Sequence, residues 1–329
     1  MKARAGLARI AAGACMFFVL ASSLSGCDQV QLRLRLNKAG KYYCKSFVET
    51  NIGQILDGQV QETEQTMGYG YDFDVEDVNT NGDMLMKWTY KRVSLTNKTG
   101  GKVTMDYDSS KKDSSATRRR TPMAALDAII GESFFVKLTR SGKVKEVKGW
   151  EKIYSNVLAR LPKESIGATD EQIVTGLKQQ FGEDVVKEFI ETTLAIYPNG
   201  AVRAGDSWGR KFDISQGFPM VVQNKWVLKE RKAGKSTIEV SGKIEPNPKA
   251  KATELGVLKI EYKVSGKQSG EIELAESTGL IVRSTIRQTM AGEMKMGSLT
   301  TAGQMDIAMD IDTVTTTEMS ERKKESAEK

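Results

Sequence analysis

Histidine is absent from the 329 residues of this chain. Without an imidazole, the protein has no Ser-His-Asp or Cys-His nucleophile, no imidazole general base, no histidine-ligated zinc and no two-histidine iron site. Paired carboxylates or a Ser-Lys pair remain chemically available to an enzyme. The acidic residues, however, are spread along the sequence, and no two of them stand out as a pair. We therefore expect a protein that is not an enzyme and that has no cofactor and no catalytic residue.

The N-terminus has the pattern of a secretion signal. Three cations among the first nine residues precede an apolar run over 10–21, and small residues then lead from Leu24 to Cys27. The apolar run is too short to cross a bilayer as a helix of the mature protein. The residues before Cys27 resemble the lipobox of bacterial lipoproteins, in which the cysteine thiol is joined to diacylglycerol. Residues 1–26 are thus predicted to be a lipoprotein signal peptide, and an ordinary signal followed by a chance cysteine is the alternative.

Acylation of Cys27 would attach the protein to a membrane of the bacterial cell envelope, with its body in the periplasm. Each buried methylene contributes about 0.8 kcal/mol to membrane binding, so two or more acyl chains hold firmly. Asp28 resembles the inner-membrane retention signal of some Gram-negative sorting systems, but that rule varies among bacteria. The choice between the inner and the outer membrane therefore stays open.

Charge and cysteine usage restrict the partners. Loss of residues 1–26 removes three cations and leaves 303 residues, with 46 basic and 42 acidic side chains. This balance does not point to nucleic acid. Of the three cysteines, Cys15 leaves with the signal and Cys27 is acylated. Cys44 is then alone in an oxidising compartment, so we expect no internal disulfide and a buried thiol on a strand.

Apolar and polar residues alternate almost directly after the lipidation site. Residues 30–36 have the period of a strand with one buried face. Only two residues separate this segment from Cys27, which places its cations near lipid headgroups. The candidate membrane-surface contacts are Arg33, Arg35, Lys38 and Lys41. Each would add about 1 kcal/mol of attraction to anionic lipid, and a merely solvated strand face is the alternative.

Residues 67–75 and 84–90 are predicted to form a β-hairpin around a turn at 79–82. One face of this hairpin carries the aromatic side chains Tyr69, Tyr71, Phe73, Trp88 and Tyr90. Such a row is most often part of a core. The alternative is a groove that binds an apolar ligand.

The hydrophobic period changes to that of a helix between Trp150 and Tyr197, in three amphipathic segments. Thr169 and Gln172 have the spacing of a capping box at the start of the second segment. Strand-like alternation returns over 208–316, with turns predicted at 234, 266 and 278–279.

These patterns predict an α+β fold that is mainly antiparallel β, with long curved strands in two halves packed against a central three-helix segment. After the signal peptide, we expect a β-rich half over 27–148, the helical segment over 149–198 and a second β-rich half over 199–318. The charged tail, 319–329, is expected to be disordered. Whether the two β halves form one domain or two stays open.

Two weak metal patterns are present, and we expect neither to bind a metal. The tract over 77–83 matches the first half of a calcium loop, but its twelfth position is Trp88 instead of the bidentate glutamate. Methionines at 290, 294, 296, 305 and 309 offer thioethers to copper(I). Because they alternate along expected strands and methionine fills irregular cores, packing is the preferred interpretation.

Three tracts carry a resemblance to a known family. They are 105–109, with sequence MDYDS; 131–149, which begins GESF and contains SGKV; and 197–208, which begins with YP and ends with GDSW. In their order and spacing they are similar to a family of exported, β-rich bacterial lipoproteins whose function is unknown. The resemblance implies export and an antiparallel architecture, and it implies no catalytic or binding residue.

The expected function is that of a membrane-anchored lipoprotein of the cell envelope, acting as a non-enzymatic binding or structural module. The alternative is a periplasmic carrier of lipid or of another apolar ligand, because a curved sheet closed by amphipathic helices is typical of lipid-binding half-barrels. A hydrolase that depends on two carboxylates is the least favoured class. The protein partner stays unknown.

Overall fold

The computed structural model describes residues 29–56, 58–111, 123–161, 169–215, 218–250, 252–255, 258–298 and 304–322. The predicted signal peptide and Cys27 lie outside these residues, and so does 323–329 of the predicted tail. Among the described residues, no helix combines the length and the apolar character needed to cross a bilayer.

Six strands and one short helix make up the described N-terminal half. They are Lys41–Leu56 (β1), Gln59–Val78 (β2), Met84–Thr99 (β3), Lys102–Asp108 (β4), Met123–Ile129 (α1), Ser133–Leu138 (β5) and Val144–Lys148 (β6). Three helices follow, which are Trp150–Arg160 (α2), Asp170–Phe181 (α3) and Glu183–Leu194 (α4).

Seven strands make up the described C-terminal half. They are Ser207–Ile214 (β7), Met220–Lys232 (β8), Lys235–Pro246 (β9), Thr253–Leu255 (β10), Leu258–Ala275 (β11), Ile281–Ser298 (β12) and Gln304–Glu321 (β13). Their alternating burial gives each long strand one inward and one outward face.

All these strands belong to one antiparallel sheet. Its order is β6-β5-β3-β2-β1-β13-β12-β11-β9-β8-β7, with β4 beside β3 and β10 beside β11. The chain starts in the middle of the sheet, reaches one edge at β6, crosses to the other edge at β7 and returns to the middle. The first and last strands therefore pair with each other, with Tyr42 opposite Glu321 and Gln54 opposite Met309.

The helical segment connects the two edges of the sheet. Glu191 of α4 accepts a hydrogen bond from the Val144 backbone N–H of edge strand β6, at 2.9 Å. On the other edge, the Trp208 indole N–H donates to the Ile196 carbonyl oxygen at 2.7 Å. The β5–β6 turn also approaches the end of α4 so closely that a Cβ at Gly142 would collide with the Leu194 carbonyl. Residue 142 therefore has to be glycine, which also permits its positive φ of 75°.

The structure confirms the predicted α+β class, the three helices and the aromatic hairpin. The capping box is present as well, because the Thr169 hydroxyl accepts from the Gln172 N–H and the Gln172 side chain accepts from the Thr169 N–H. Helix α1 and strand β4 were not predicted. Both are short, and α1 begins next to residues that are not described.

Residues 30–36 are extended but do not form the predicted strand. They run across the ends of other strands, with one isolated bridge between Val30 and Val202. Single backbone hydrogen bonds join Leu34 to Arg140 and Arg35 to Thr278, both in turns. The leucines of this segment are buried, so the alternation reflects one-sided burial at the end of the sheet and not pairing within it.

Two further predictions in the C-terminal half are wrong. Gly266 lies inside β11 and pairs with Ile244 and Met290, so there is no turn at this residue. The predicted disordered tail begins too early, because β13 continues to Glu321 and Met319 is buried. Arg322 extends this order by forming ion pairs with Asp72 and Asp74 of β2. Glycine and charge are typical of turns and tails, but pairing across a long sheet outweighed both local signals.

Candidate ligand-binding cavity

The predicted aromatic row lies in a filled core and does not form a groove. Tyr71, Phe73, Trp88 and Tyr90 are each at most 5% exposed. Helical side chains cover them, since Phe181 packs edge-on against Tyr90 with ring centroids 6.1 Å apart and against Tyr69 at 6.4 Å. Burial raises the pKa of Tyr69 to about 12, in keeping with this dry environment. The core interpretation holds for these rings, and the alternative of an apolar groove at these residues is wrong.

A cavity of about 260 Å³ lies on the same face of the sheet, beyond this aromatic core. It is bounded by α4 and the residue Ile196 on one side and by the inward faces of β1, β7, β8, β9 and β11–β13 on the other. Its lining is mainly apolar and contains no charged residue. The lining residues are Val48, Phe189, Thr192, Thr193, Ile196, Phe212, Ile214, Val222, Asn224, Trp226, Val240, Gln268, Ile272, Ile281, Ser284, Ile286, Gln288, Thr315 and Thr317.

The cavity shows that the sheet curls strongly in its C-terminal half. Strands β7 and β1 both line the cavity although five strands separate them in the sheet. On a flat sheet, those six spacings would hold the two strands about 29 Å apart. A space of this size can touch both strands only if the sheet wraps around it, so the predicted long curved strands are present.

A row of polar residues crosses the cavity wall at one level of the sheet. Strand register places Asn224, Gln268, Gln288, Thr313 and Thr50 in this row, with Gly242 between Asn224 and Gln268. Of these residues, Asn224, Gln268 and Gln288 line the cavity. The rows on either side are largely apolar, with Trp226, Val240 and Ile286 on one side and Val222, Ile244 and Met290 on the other. The polar row thus divides two apolar zones of the inward face.

Three amides of this row form a hydrogen-bonded chain. Gln288 Nε2 donates to Gln268 Oε1 at 2.8 Å, and Gln268 Nε2 donates to Asn224 Oδ1 at 2.7 Å. The second bond passes over β9 because Gly242 has no side chain there, and a Cβ at Gly242 would lie 2.8 Å from Gln268 Cγ. Mutual pairing satisfies polar groups at a largely apolar wall, where an unpaired amide is costly.

Arg210 continues the polar row at the edge of the sheet. It lies on β7 directly opposite Asn224, and its side chain is partly buried. Burial lowers the pKa of Arg210, while the nearby Glu191 carboxylate acts in the opposite direction. Arg210 still carries its charge at neutral pH, because an arginine pKa lies far above 7.

The candidate membrane-contact cations are not equivalent. Lys38 forms an ion pair with Asp77 at 2.9 Å, and Lys41 lies opposite Asp74 in the sheet. By contrast, burial followed by repulsion from Arg35 and Arg140 lowers the pKa of Arg33. A cluster of three arginines, Arg33, Arg35 and Arg140, therefore lies at the end of the sheet that is nearest in sequence to Cys27.

Sequence reasoning did not find the cavity or its polar row. Asn224, Gln268 and Gln288 lie on three separate strands and become neighbours only through register. The sequence does contain one indication of the polar row, because an amide replaces an apolar residue on the inward face of each of these alternating strands. A glycine inside a strand, such as Gly242, also marks a close approach.

Neither metal pattern is assembled into a site. Asp83 of the turn accepts hydrogen bonds from Asn79 and Lys145, and Asp77 pairs with Lys38. Within the described ranges, no group of three or more Cys, Asp or Glu residues is arranged to hold a metal ion. Met290 and Met309 are buried beside Ile311 and Val264, in the second apolar zone.

Solved structures align with this chain at low sequence identity and low TM-score. Lipovitellin, from a structure titled for its lipid-protein interactions, aligns at 9% identity and a TM-score of 0.47, over 88% of this chain and 26% of its own. This chain thus spans about a quarter of the lipovitellin chain. OccK7 of Pseudomonas aeruginosa aligns at 6% identity and a TM-score of 0.22, over 86% of this chain and 99% of its own.

A DUF1329 family protein from Desulfovibrio piger aligns at 9% identity and a TM-score of 0.14, over 89% of each chain. All three TM-scores lie below 0.5. No curated protein sequence matches this chain.

A family model does match the sequence, over residues 81–281. The matched region covers more than half of the chain and includes the cavity strands β7–β9, β11 and the helical segment. This agrees with the resemblance to a family without known function. The protein is a member of DUF6263, a family of unknown function.

Proposed function

We propose that this protein is a lipid-anchored, non-enzymatic binding module of the bacterial cell envelope, and that it takes up an apolar ligand in the cavity between α4 and the sheet. The cavity is the observation that carries this proposal. Small-molecule sites in proteins are concave and mostly apolar, with a few polar groups that fix orientation, and this cavity has that composition.

The volume of the cavity suits a single alkyl chain. An engineered apolar cavity of about 150 Å³ binds benzene, which has six carbon atoms. In proportion, a cavity of about 260 Å³ holds about ten carbon atoms. Burying that many methylenes contributes about 0.8 kcal/mol each before the costs of ordering the ligand. One short or partly inserted acyl chain therefore fits better than a two-chain phospholipid.

The proposed attachment to a membrane is based on the N-terminal sequence. Acylation of Cys27 would hold the end of the sheet with Arg33, Arg35 and Arg140 close to lipid headgroups. Cationic side chains near an anionic surface each contribute about 1 kcal/mol. A lipid ligand would thus be available next to the protein, at the membrane to which it is tethered.

A cavity-filling variant tests the proposal. Ser284 lines the cavity and is 6% exposed, so Ser284→Leu puts an apolar side chain into the space that a ligand would use. The next residue, Thr285, faces outward beside Lys45 and Phe47. Thr285→Leu is therefore the matched control on the opposite face of the same strand.

Binding is measured by equilibrium dialysis of radiolabelled decan-1-ol against the full chain, held in an amphipathic polymer, with the polymer alone subtracted. We expect saturable binding to the wild type and to Thr285→Leu, and at least tenfold weaker binding to Ser284→Leu. Absence of saturable binding, or equal binding to all three proteins, would overturn the proposal and leave the structural-module alternative.

A further inference from the structure

Arg210 is a partly buried cation on β7, directly beside residues that line the cavity. Directly opposed residues on antiparallel strands have Cβ atoms about 5 Å apart and point to the same face. Arg210 therefore shares its face with Asn224, which lines the cavity. Phe212, two residues further along β7, lines the cavity as well. An arginine side chain is long enough to bring its guanidinium to the margin of the cavity.

Within the described ranges, Arg210 has no ion pair and no side-chain hydrogen bond. Several other described arginines are paired with acids, such as Arg92 with Asp108 at 2.7 Å and Arg231 with Glu276 at 2.8 Å. The acid that acts on Arg210 electrostatically, Glu191, does not form a salt bridge with it. Instead, a carboxylate oxygen of Glu191 accepts the Val144 N–H.

The charges around the cavity suit a ligand with one anionic end. The lining has no charged side chain, so the space itself favours an uncharged chain. The polar row ends at Arg210, which offers several N–H donors and a full positive charge at the margin. A carboxylate matches the planar guanidinium through two parallel hydrogen bonds.

We propose that the cavity binds a single-chain alkyl carboxylate, with the chain between α4 and the sheet and the carboxylate on the Arg210 guanidinium. This inference depends on the proposed function, because it requires that the cavity takes up an alkyl chain. It adds the class of ligand and a residue that selects it. The amide of Asn224, next to Arg210 in the polar row, supplies a further N–H donor to the same carboxylate.

Two probes of equal chain length separate the head-group contact from chain burial. Radiolabelled decanoate carries the carboxylate, and decan-1-ol does not. The variants are Arg210→Leu, which removes the cation, and Arg210→Lys, which keeps the charge but not the planar fork. Lys211 is the next residue on β7 and lies on the other face, 61% exposed in its side chain. Lys211→Leu thus removes the same unit charge from the same strand as a control.

We expect decanoate to bind the wild type more tightly than decan-1-ol does at pH 8, in equilibrium dialysis with the full chain. Hydrogen bonds to charged groups are stronger than those between neutral groups, so Arg210→Leu should weaken decanoate binding by about tenfold or more. Decan-1-ol binding should stay within twofold in the same variant. The affinity of Arg210→Lys for decanoate should lie between that of the wild type and that of Arg210→Leu. Lys211→Leu should bind decanoate as tightly as the wild type does.

Failure of this inference differs from failure of the proposed function. If decan-1-ol binds and Ser284→Leu abolishes its binding, but Arg210→Leu leaves decanoate binding unchanged, then the cavity binds chains and Arg210 does not select a carboxylate. Equal loss of both probes in Arg210→Leu would show a structural role for Arg210 and also overturn the inference. If neither probe binds the wild type, the proposed function itself is wrong.

Discussion

At the scale of single residues, the two cysteines of the predicted mature chain are expected to differ in reactivity. Cys44 is fully buried on β1, and burial raises the pKa of its thiol to about 12. A thiol in this environment stays protonated and unreactive at physiological pH. Cys27 lies outside the described residues, and its predicted role is based on the resemblance of its flanking sequence to a lipobox.

Metabolic labelling with palmitate tests the role of Cys27. We expect the label to enter the wild-type protein and Cys44→Ala in the native host, and not to enter Cys27→Ala. The reason is that a buried thiol is not accessible to acyl transfer, whereas a cysteine after a cleaved signal is. Label that persists in Cys27→Ala, measured on the immunoprecipitated chain, would show that the anchor is elsewhere.

Residue patterns predicted burial better than they predicted binding. The alternation along 30–36 and the aromatic row over 69–90 identified buried side chains, because one-sided burial is recorded in the local period of a sequence. The function of a buried polar residue depends on its neighbours. The chain Gln288–Gln268–Asn224 brings together residues on β12, β11 and β8, and no local pattern contains that register.

At the scale of elements, α4 holds the two edges of the sheet together over the cavity. Its residue Glu191 binds the β6 edge at Val144. Its residue Glu188 accepts a hydrogen bond from the Ser215 N–H, directly after β7, at 3.0 Å. Helix α4 also supplies Phe189 and Thr193 to the cavity lining. The same helix thus closes the sheet and forms one wall of the candidate site.

Removal of the Glu191 contact should loosen the β6 edge. In Glu191→Ala, the Val144 N–H loses its acceptor, and we expect the free energy of unfolding to fall by about 1.5 kcal/mol. Alanine does not lower the helix propensity of α4, so the loss reports on the contact. Glu191→Gln retains an acceptor oxygen, so its free energy of unfolding should fall by less than half as much. Urea denaturation measures the stability, and faster amide exchange at Val144 identifies the edge.

The elements themselves were largely predictable, while their ends were not. The helical period between 150 and 197 and the Thr169–Gln172 capping box were sufficient to place α2, α3 and α4. The strands were predicted too short, because β11 and β12 continue through glycines, such as Gly266 and Gly292, that resemble turn signals. Pairing on both sides keeps these glycines extended, and a sequence window does not contain the partner strands.

At the scale of the whole molecule, the sheet order answers whether the two β halves are separate. Strand β1 of the first half pairs with β13 of the second half, from Tyr42 opposite Glu321 to Gln54 opposite Met309. The Ser46 and Thr317 hydroxyls, 3.2 Å apart, also meet across this pair. The central junction joins residues that are more than 250 positions apart in sequence. One sheet with one such junction predicts a single cooperative unit.

A proline in the central junction tests this cooperativity. Thr316 of β13 lies between Phe47 of β1 and Thr285 of β12, so Thr316→Pro removes a hydrogen bond from the middle of the sheet. A proline in a central strand removes a ladder hydrogen bond and leaves its partner unpaired, so we expect the free energy of unfolding to fall by about 1 to 3 kcal/mol or more. Thr316→Val keeps a β-branched residue and should change stability by less than about 1 kcal/mol.

Amide hydrogen exchange, followed separately in β2–β3 and in β8–β9, distinguishes one unit from two. If the sheet unfolds as one unit, Thr316→Pro lowers protection by the same factor in both hairpins, because both reach exchange through the same global opening. If the halves were separate domains that only touch, β2–β3 would keep its wild-type protection while the C-terminal half lost it. The equal loss that we expect would also mean that the cavity, which is lined by β1 of the first half and by β7–β9 and β11–β13 of the second, exists only when the whole sheet is folded.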